Sequence, residues 1–408
     1  MRVDRGTLAH AANVVAAMLE FSGPADETLS RYFRAQRQLG AQERAFVAEA
    51  AFAVLRRRRS LEAAATSPCG AMKVLGLSQR SLEDLVEPRL VERVRAFRAA
   101  GLAPAARADL PDWLWDRLSE DYGAGEAERI GQGMLSAAPL DLRVNLARTS
   151  RDEAAARLAA DHIEARPTPY APAGLRLAGK PAINRHALFR DGLVEVQDEG
   201  SQLLAWLVAP RRGEMVADYC AGAGGKTLAL SMLMRGTGRL YAMDVSARRL
   251  AALGPRAARA GVTNVHAIVL AGDNDARTKR LAGKIDRVLV DAPCSGFGTL
   301  RRNPDLKWRH GPDAVDELAS KQLRILEAAA RLVKRGGRLV YATCSILKAE
   351  NEAIADDFAA AHPEFSPLSC GQLLAAQRIA LAAAPRLRLW PHVHGTDGFF
   401  AAAFERRT

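Results

Sequence analysis

The sequence predicts an α/β fold, in which a mostly parallel sheet with helices on both faces follows an all-helical region and a small α+β module. From residue 213 onwards, apolar segments of strand length alternate with longer segments of helical periodicity, which is typical of strands buried between two layers of helices. The first of these apolar segments ends in a glycine-rich turn that opens a helix. Because ligands of such folds bind at the carboxyl ends of the strands, polar residues at those ends are the candidate site residues.

The glycine-rich turn lies in residues 216–227, which read Val-Ala-Asp-Tyr-Cys-Ala-Gly-Ala-Gly-Gly-Lys-Thr. Glycines let the backbone approach a ligand closely, and the exposed N–H groups of the new helix favour acidic groups. The ending Gly-Lys-Thr suggests a P-loop, but that motif requires a glycine five residues before Gly225, where this chain has Cys220. A phosphate cradle is therefore disfavoured, and a small adenosine-type cofactor is the better candidate.

The composition is that of a soluble globular protein of two or three domains, with 408 residues, 49% hydrophobic and 25% charged. A net charge of +12 predicts attraction to a polyanion, most simply nucleic acid, although many basic proteins bind none. The sequence contains no run of 18 apolar residues, so no membrane span is expected, and the N-terminal residues lack the apolar core of a signal peptide. The five cysteines lack zinc-ligand spacing, and His392 and His394 lack matching ligands. We therefore expect a reducing, cytoplasmic setting and no metal site.

Helical periodicity predicts helices over residues 5–100, one of which runs into four consecutive arginines at 56–59. These arginines fit either a solvated helix end or a patch that contacts phosphates. A strand at 140–145, a helix at 151–160 and turns rich in proline and glycine predict the α+β module. The predicted domains are a helical domain at 1–130, the α+β module at 131–208 and the sheet domain at 209–408.

The sheet domain is predicted to contain five strands, four helices and a late edge strand. The strands are expected at residues 214–219, 239–244, 265–270, 286–292 and 338–344. The helices are expected at residues 225–235, 246–260, 315–334 and 349–361. The apolar run at 398–404 predicts the edge strand.

Two aspartates follow neighbouring strands of this sheet. Asp244 ends the second strand about 20 residues after the glycine turn, where an acidic residue commonly accepts hydrogen bonds from ribose hydroxyls. Asp273 follows the third strand and is a candidate contact for an adenine ring, although a plain loop aspartate fits the pattern nearly as well.

The fourth and fifth strands end in motifs that contain cysteine. Asp291 precedes Pro293 and Cys294, and Cys344 follows the fifth strand. A lone cysteine there is most often core filling, but two at neighbouring strand ends beside Asp291 favour nucleophilic chemistry. The basic and aromatic residues at 301–309 suit phosphates and an unstacked base or, alternatively, form a solvated loop.

One reaction needs these groups. Carbon 5 of cytosine is a poor nucleophile, but addition of a thiolate at carbon 6, with an acid at ring N3, makes carbon 5 reactive towards a methyl donor. A base then removes the carbon-5 proton and the thiolate leaves. Cys294 or Cys344 is the candidate nucleophile and Asp291 the group at N3, and the residues alone do not choose between the two cysteines.

Residues 140–406 resemble the Sun/Nop family of RNA 5-methylcytosine methyltransferases. The similarity is carried by the runs at 218–227, 291–296, 341–345 and 397–400, with further matches at 143–145, 197–198 and 350–352. It implies a Rossmann-like class I methyltransferase domain that uses S-adenosylmethionine. In that family the cysteine of the Thr-Cys motif attacks, which corresponds to Cys344, and the Pro-Cys cysteine, here Cys294, helps to release the product.

The resemblance also implies the cofactor contacts. They correspond to Cys220, Ala221, Gly222, Ala223, Gly224, Gly225, Lys226, Asp244, Asp273 and Asp291. The chain departs from the family in the glycine loop, where Ala-Gly-Ala stands in place of the common Ala-Ala-Pro.

Residues 41–56 resemble the NusB-like RNA-binding helical domain of bacterial members that act on small-subunit ribosomal RNA. The combined resemblance implies methylation of carbon 5 of a cytosine in RNA, most simply ribosomal RNA. Two other classes stay open. A non-catalytic RNA-binding factor would not need both cysteines, and a DNA cytosine methyltransferase would attack from Cys294.

Overall fold

The computed structural model describes residues 4–64, 101–273, 275–382 and 384–407. The chain forms two compact units, one of Met1–Ala137 with Thr299–Ala314 and one of Ala138–Gly298 with Val315–Thr408. The division into three domains at residues 130 and 208 stays a prediction. None of the helices in the described ranges has the length and apolar character that a membrane crossing requires.

The first unit is built from helices. They are α1 (Arg5–Leu19), α2 (Ala25–Ala35), α3 (Ala41–Arg56), α4 (Arg58–Ala64), α5 (Pro104–Arg107), α6 (Asp112–Tyr122) and α7 (Ala124–Gly133), with a further short helix, Leu306–Arg309. Val14 and Val15 of α1 and Val47 and Val54 of α3 are fully buried in one core. This burial follows the spacing that predicted helices in this part of the chain.

The segment Thr299–Ala314 belongs to the first unit, although it directly follows the Pro-Cys motif in the sequence. Lys307, which is 2% exposed, donates from Nζ to the Arg56 carbonyl oxygen at 2.9 Å. Trp308 Nε1 donates to the Leu55 carbonyl oxygen at 2.8 Å. Both acceptors lie in the last turn of α3, where a helix leaves its carbonyls without a partner. The expectation that this segment offers its basic and aromatic side chains to nucleic acid is therefore wrong for Lys307, which is buried and caps a helix. For the half-buried Trp308 it stays a prediction.

The run of four arginines is also used mainly inside the first unit. Arg56 is 6% exposed, and its Nε donates to the Arg301 carbonyl oxygen at 3.1 Å. Arg58 forms an ion pair one turn along its helix at 2.9 Å, and Arg59 donates to a backbone carbonyl at 2.7 Å. Arg57 is exposed. Neither a solvated helix end nor a phosphate patch therefore describes the run as a whole.

The second unit begins with the α+β module, whose antiparallel sheet has the order β2-β3-β1-β4. Its strands are β1 (Leu140–Val144), β2 (Ala165–Pro167), β3 (Gly174–Leu177) and β4 (Val194–Val196). Helices α8 (Arg151–Ala160) and α9 (Ala187–Arg190) and the 3₁₀ turn Ile183–Arg185 connect them. The predicted strand at 140–145 and helix at 151–160 are both present.

The main sheet of the second unit has the order β10-β12-β9-β8-β5-β6-β7, and β11 also pairs with β12. Its strands are β5 (Met215–Asp218), β6 (Arg239–Asp244), β7 (Val265–Val269), β8 (Ile285–Asp291), β9 (Val333–Thr343), β10 (Phe365–Leu368), β11 (Leu387–Leu389) and β12 (Phe399–Arg406). Strands β5 to β9 pair in parallel, whereas β10, β11 and β12 pair antiparallel. The predicted α/β fold with a mostly parallel sheet is confirmed.

The last strand was expected at the edge of the sheet, and this expectation is wrong. Strand β12 pairs with β9 on one side and with β10 and β11 on the other. Its residues 399–404 are all buried. A run that is apolar at every position has no side suited to solvent, which favours an internal strand.

Helices cover both faces of the main sheet. They are α10 (Glu199–Val208), α11 (Gly225–Leu233), α12 (Ala247–Ala251), α13 (Leu253–Ala260), α14 (Ala276–Lys279), α15 (Pro312–Ala330), α16 (Glu352–Ala361), α17 (Cys370–Ala375) and α18 (Pro391–His394), with 3₁₀ turns at Phe297–Thr299 and Lys348–Glu350. Val288 and Val290 of β8 pack with residues of α15 and α16, whereas Leu289 packs with residues of α10 and α11. Because successive side chains of a strand point to opposite faces of the sheet, the sheet separates two hydrophobic cores.

Candidate active site

The candidate residues meet at one edge of the main sheet. Strand β5 lies between β6 and β8, so the strand order reverses there, which is where ligands of open α/β sheets bind. Asp218 at the end of β5 pairs in register with Leu289 of β8, and Asp291 at the end of β8 pairs with Ala342 of β9. The residues that follow these three strands are therefore neighbours.

Two glycines of the turn after β5 are required by its geometry. Gly222 and Gly224 have φ values of +53° and +85°, in the left-handed region that favours glycine. A Cβ atom on Gly224 would also overlap the side chain of Leu253 in α13, whereas a Cβ atom on Gly222 would meet nothing within 4 Å. The Gly222 N–H donates to Asp244 Oδ2 at 2.8 Å, which ties the turn to the end of β6.

Two arginines hold the turn from outside. Arg256 of α13 donates to the Ala223 carbonyl oxygen at 2.6 Å and to Glu195 of the α+β module at 3.0 Å. Arg143 of β1 is buried, donates to the Gly225 carbonyl oxygen at 2.8 Å and also binds Gln197. Arg256 thus binds the backbone at Ala223, where this chain lacks the proline common in the resembling family, and Glu195 of the α+β module holds Arg256.

A cavity of about 490 Å³ opens above these strand ends. Of the predicted site residues, it is lined by Cys220, Ala221, Gly222, Ala223, Asp244, Asp273, Asp291, Cys294 and Cys344. Gly224, Gly225 and Lys226 are not among the lining residues; Gly224 precedes α11, and Gly225 and Lys226 are its first two residues. The lining also includes Tyr219, Val245, Arg249, Leu270, Lys321 and Ile325, which the sequence did not single out.

The cavity fits the cofactor that the sequence suggests. Its volume lies in the range of small-molecule sites, roughly 300–1,000 Å³. Asp244 and Asp273 provide carboxylates for hydroxyl or amino groups, and Leu270 and Ile325 provide an apolar surface for a ring. Asp244 is already bound by the Gly222 and Ser246 N–H groups, so it both shapes the turn and faces the cavity.

Lys226 forms an ion pair with Asp291, which lines the cavity, and its Nζ lies 2.7 Å from Asp291 Oδ2. Burial is the largest single effect and would by itself lower the pKa of Lys226, but the charge and hydrogen bond of Asp291, together with Cys344 and Asp218, outweigh burial and raise that pKa. Lys226 is therefore a cation at neutral pH, and the electrostatic effect of Cys344 acts in the same direction.

The two cysteines are in direct contact. Cys294 Sγ and Cys344 Sγ are 3.4 Å apart, at the ends of β8 and β9. The hydrogen bond with Cys344, followed by burial, raises the pKa of Cys294 well above its ordinary value, so Cys294 is held as a neutral thiol. A neutral thiol beside a second sulfur can donate its proton to that sulfur or stabilise a thiolate there.

Close backbone contact fixes the chain after Cys294. The Gly298 N–H donates to the Cys344 carbonyl oxygen at 2.8 Å, and the Gly398 N–H donates to the Gly298 carbonyl oxygen at 2.8 Å. A Cβ atom on Gly298 would overlap the Gly398 carbonyl group and lie 2.7 Å from the Cys344 carbonyl oxygen. The run at 397–400, which was matched in sequence, thus lies against both cysteine motifs.

The other described cysteines stand apart from this pair. Cys370 is buried in an apolar core, and burial raises its pKa to about 11. Cys220 lines the cavity, and burial raises the pKa of its thiol well above the ordinary value. Cys69 lies outside the described residues. Within those residues, no group of three or more His, Cys, Asp or Glu side chains is arranged to hold a metal ion.

Comparison with known proteins identifies the family. Residues 205–405 match the family described as 16S rRNA methyltransferase RsmB/F, and residues 110–184 match the ferredoxin-like domain of RsmF/B-like methyltransferases. The chain is 36% identical over 304 residues to the probable ribosomal RNA small subunit methyltransferase B of Bacillus subtilis, covering 74% of this chain and 68% of that protein. The chain belongs to the RsmB/F methyltransferase family. It is therefore an S-adenosylmethionine-dependent RNA methyltransferase, and the resemblance found in the sequence is confirmed.

Solved structures agree with this assignment. The protein PH0851 is 25% identical, with a TM-score of 0.79 and complete coverage of both chains. A methyltransferase homologue from Pyrococcus horikoshii is 29% identical, with a TM-score of 0.64, and covers 76% of this chain and all of its own. The similarity to PH0851 extends over the whole chain, whereas the similarity to the methyltransferase homologue covers about three quarters of it.

Some residues of this methyltransferase site had a signal in the sequence that was not used. Lys321 and Ile325 are spaced four residues apart on α15, so both face the cavity. Arg256 and Glu195 had no such signal, because their contact joins residues 61 positions apart in two different substructures.

Proposed function

We propose that this methyltransferase transfers a methyl group to carbon 5 of a cytosine in ribosomal RNA of the small subunit, through a covalent bond between Cys344 and carbon 6. The observation that carries the proposal is the contact of the two thiols, 3.4 Å apart, at the wall of a cavity that Asp291 also lines. The names of the family and of its Bacillus relative support ribosomal RNA as the substrate. A cytoplasmic location stays a prediction.

S-adenosylmethionine, when bound, supplies an electrophilic methyl group. We assign its binding to the turn at Cys220, Ala221, Gly222, Ala223, Gly224, Gly225 and Lys226 and to the carboxylates of Asp244, Asp273 and Asp291. The turn leads into the N-terminus of α11, and the N–H groups of a helix N-terminus suit the carboxylate of an amino acid moiety. We assign Asp244, at the end of β6, to the ribose hydroxyls.

Cys344 is the better nucleophile of the pair. The neutral Cys294 thiol can donate a hydrogen bond to a Cys344 thiolate, and the Lys226 cation interacts favourably with a charge on that sulfur. Addition of the thiolate to carbon 6 forms the S–C bond and moves an electron pair of the ring towards N3. We assign delivery of the N3 proton to Asp291, and Lys226, whose Nζ lies 2.7 Å away, supplies that proton to the Asp291 carboxylate.

After carbon 5 has gained the methyl group, it still carries its proton. A base that reaches the open cavity from solvent takes this proton, the C–H electron pair restores the double bond between carbons 5 and 6, and the electron pair of the S–C bond returns to Cys344 as the thiolate leaves. The N3 proton returns to the protein in the same step. Cys294 contacts the departing sulfur and is therefore the group we assign to product release.

The test compares wild type, Cys344→Ala and Cys294→Ala with S-adenosylmethionine on small-subunit ribosomal RNA and on small-subunit particles, and maps 5-methylcytosine by bisulfite sequencing. We expect a single methylated cytosine with wild type, none with Cys344→Ala, and a covalent protein–RNA species that accumulates with Cys294→Ala. Methylation that survives in Cys344→Ala would overturn the assignment of the nucleophile. Absence of any 5-methylcytosine with wild type on both substrates would overturn the proposed reaction.

A further inference from the structure

A single buried carboxylate joins the two cysteine motifs. Glu350, in the 3₁₀ turn Lys348–Glu350, is completely buried. It accepts hydrogen bonds from the Ser295 N–H at 2.7 Å and from Ser295 Oγ at 2.5 Å, and also from Ser345 Oγ. Ser295 directly follows Cys294, and Ser345 directly follows Cys344.

The surrounding side chains complete this network. Gln322 of α15 donates from Nε2 to Glu350 Oε1 and to the Pro293 carbonyl oxygen, both at 3.0 Å. The Tyr341 hydroxyl donates to the Glu350 carbonyl oxygen at 2.5 Å. The carboxylate therefore has four hydrogen-bond donors, which is what an ionised group needs to be buried without a large penalty.

The chemistry of the acceptor is specific. A carboxylate accepts at both oxygens, whereas a glutamine would turn one acceptor into an N–H donor, so that the Ser295 and Ser345 hydroxyls would have to reverse and accept instead of donate. A hydrophobic residue would leave those donors unpaired. The network as it stands thus uses both carboxylate oxygens of Glu350 as acceptors, although Glu350 does not line the cavity.

We propose that Glu350 is a positioning residue that holds the two cysteine motifs in register and so keeps the Cys294 and Cys344 thiols in contact. Each serine transmits the constraint to its neighbouring cysteine through one peptide unit. The consequence for turnover rests on the proposed function, because product release requires Cys294 beside the sulfur of Cys344. The geometric statement does not depend on that function.

Oxidative cross-linking measures the thiol contact without RNA or cofactor. A disulfide requires the sulfurs to approach to about 2.05 Å, so thiols at 3.4 Å need only a small movement. Diamide takes up the two electrons and two protons, and mass spectrometry of peptides quantifies the Cys294–Cys344 bridge over time. We expect Glu350→Gln and the double variant Ser295→Ala/Ser345→Ala to form this bridge at least ten times more slowly than wild type.

The direction of this effect is diagnostic. The negative charge of Glu350 contributes to the raised pKa of Cys294, so its loss would ease ionisation and speed the oxidation if geometry were unchanged. Slower formation of the disulfide in Glu350→Gln would therefore report a change in the relative position of the Cys294 and Cys344 thiols. The double serine variant keeps the carboxylate and so tests geometry without a change of charge.

Ser231→Ala is the matched control. Ser231 is a buried serine of the same unit that donates to Asn264 at 2.7 Å and contacts neither cysteine motif. It should form the bridge at the wild-type rate. Unchanged bridge formation in folded Glu350→Gln and in the double serine variant would overturn the proposal. If Glu350→Gln does not fold, the double serine variant alone tests the proposal, and bridge formation at the wild-type rate in that variant would overturn it.

A turnover measurement then separates this proposal from the proposed function. We expect Glu350→Gln to lower kcat at least tenfold with KM for S-adenosylmethionine within twofold of wild type, and Glu350→Asp to recover part of kcat. Slow bridge formation together with an inactive wild type would contradict the proposed function but leave the positioning role intact. Normal kcat in a variant with slow bridge formation would overturn the role of the contact in turnover.

Discussion

Gly224 offers a quantitative test of the cofactor turn. Its φ of +85° costs a residue with a Cβ atom roughly 1–2 kcal/mol, and a methyl group forced against Leu253 adds roughly 1–3 kcal/mol. We therefore expect Gly224→Ala to lower the free energy of unfolding by roughly 2–5 kcal/mol. Gly222→Ala is the matched control, because Gly222 also has positive φ but open space around it, and only the first cost of roughly 1–2 kcal/mol applies.

Urea unfolding followed by circular dichroism measures these losses of stability, and titration calorimetry measures the binding of S-adenosylmethionine to each variant. The double variant Gly224→Ala/Leu253→Val shortens the side chain that the new methyl group meets. We expect it to be more stable than the sum of the single variants by about 1–3 kcal/mol. Additivity of the two substitutions, or equal losses in Gly222→Ala and Gly224→Ala, would refute the steric explanation.

Three further predictions follow from buried charges. Lys226→Met removes the cation beside Asp291 and should lower the rate constant of methyl transfer in single-turnover assays by about 10²–10⁴-fold. Lys226→Arg keeps the cation and should be less affected. Full activity of Lys226→Met would exclude a role of Lys226 and Asp291 in proton transfer. Burial raises the pKa of Asp218 from 3.8 to about 7, so the folded state binds the extra proton between these values and stability falls as pH rises from about 4 to 7, by up to roughly 4 kcal/mol. Asp218→Asn should lack this fall in pH-dependent unfolding, and a parallel profile would contradict it. Burial lowers the pKa of Lys307 from 10.5 to about 7, so the unfolded state binds more protons than the folded state between these pH values. The free energy of unfolding of wild type should therefore rise from pH 7 to 10 relative to that of Lys307→Met. Equal slopes of unfolding free energy against pH in the two proteins would show that Lys307 is not buried in solution.

Much of the fold and of the candidate site was predictable because its signals are local. The strand ends at Asp218, Asp244 and Asp291 were visible as apolar runs that stop at an acidic residue, and parallel pairing brings such ends to one edge. The two cysteines were expected to face one cavity for the same reason. Their contact at 3.4 Å agrees with that expectation.

The features that were not predicted depend on contacts between distant parts of the chain. The side chain of Lys307 fits an RNA-binding loop in sequence, and only its packing against residues about 250 positions earlier shows that it caps a helix. Strand β12 was placed at the edge because its pairing with the short β10 and β11 has no local signal. Glu350 was noted only within the family match at 350–352, and its contacts had no local signal because its partners Ser295 and Ser345 lie in different loops.

The central claim is that Cys344, and not Cys294, forms the bond to carbon 6 of cytosine. RNA that carries 5-fluorocytidine at the target position tests it directly, because carbon 5 then has no proton to lose and the covalent species cannot resolve. After nuclease and trypsin digestion, Cys344 and Cys294 lie in different peptides, 339–348 and 288–301. We predict that mass spectrometry finds the modified nucleotide on peptide 339–348 of the wild-type protein. A modified nucleotide on peptide 288–301 would contradict the account.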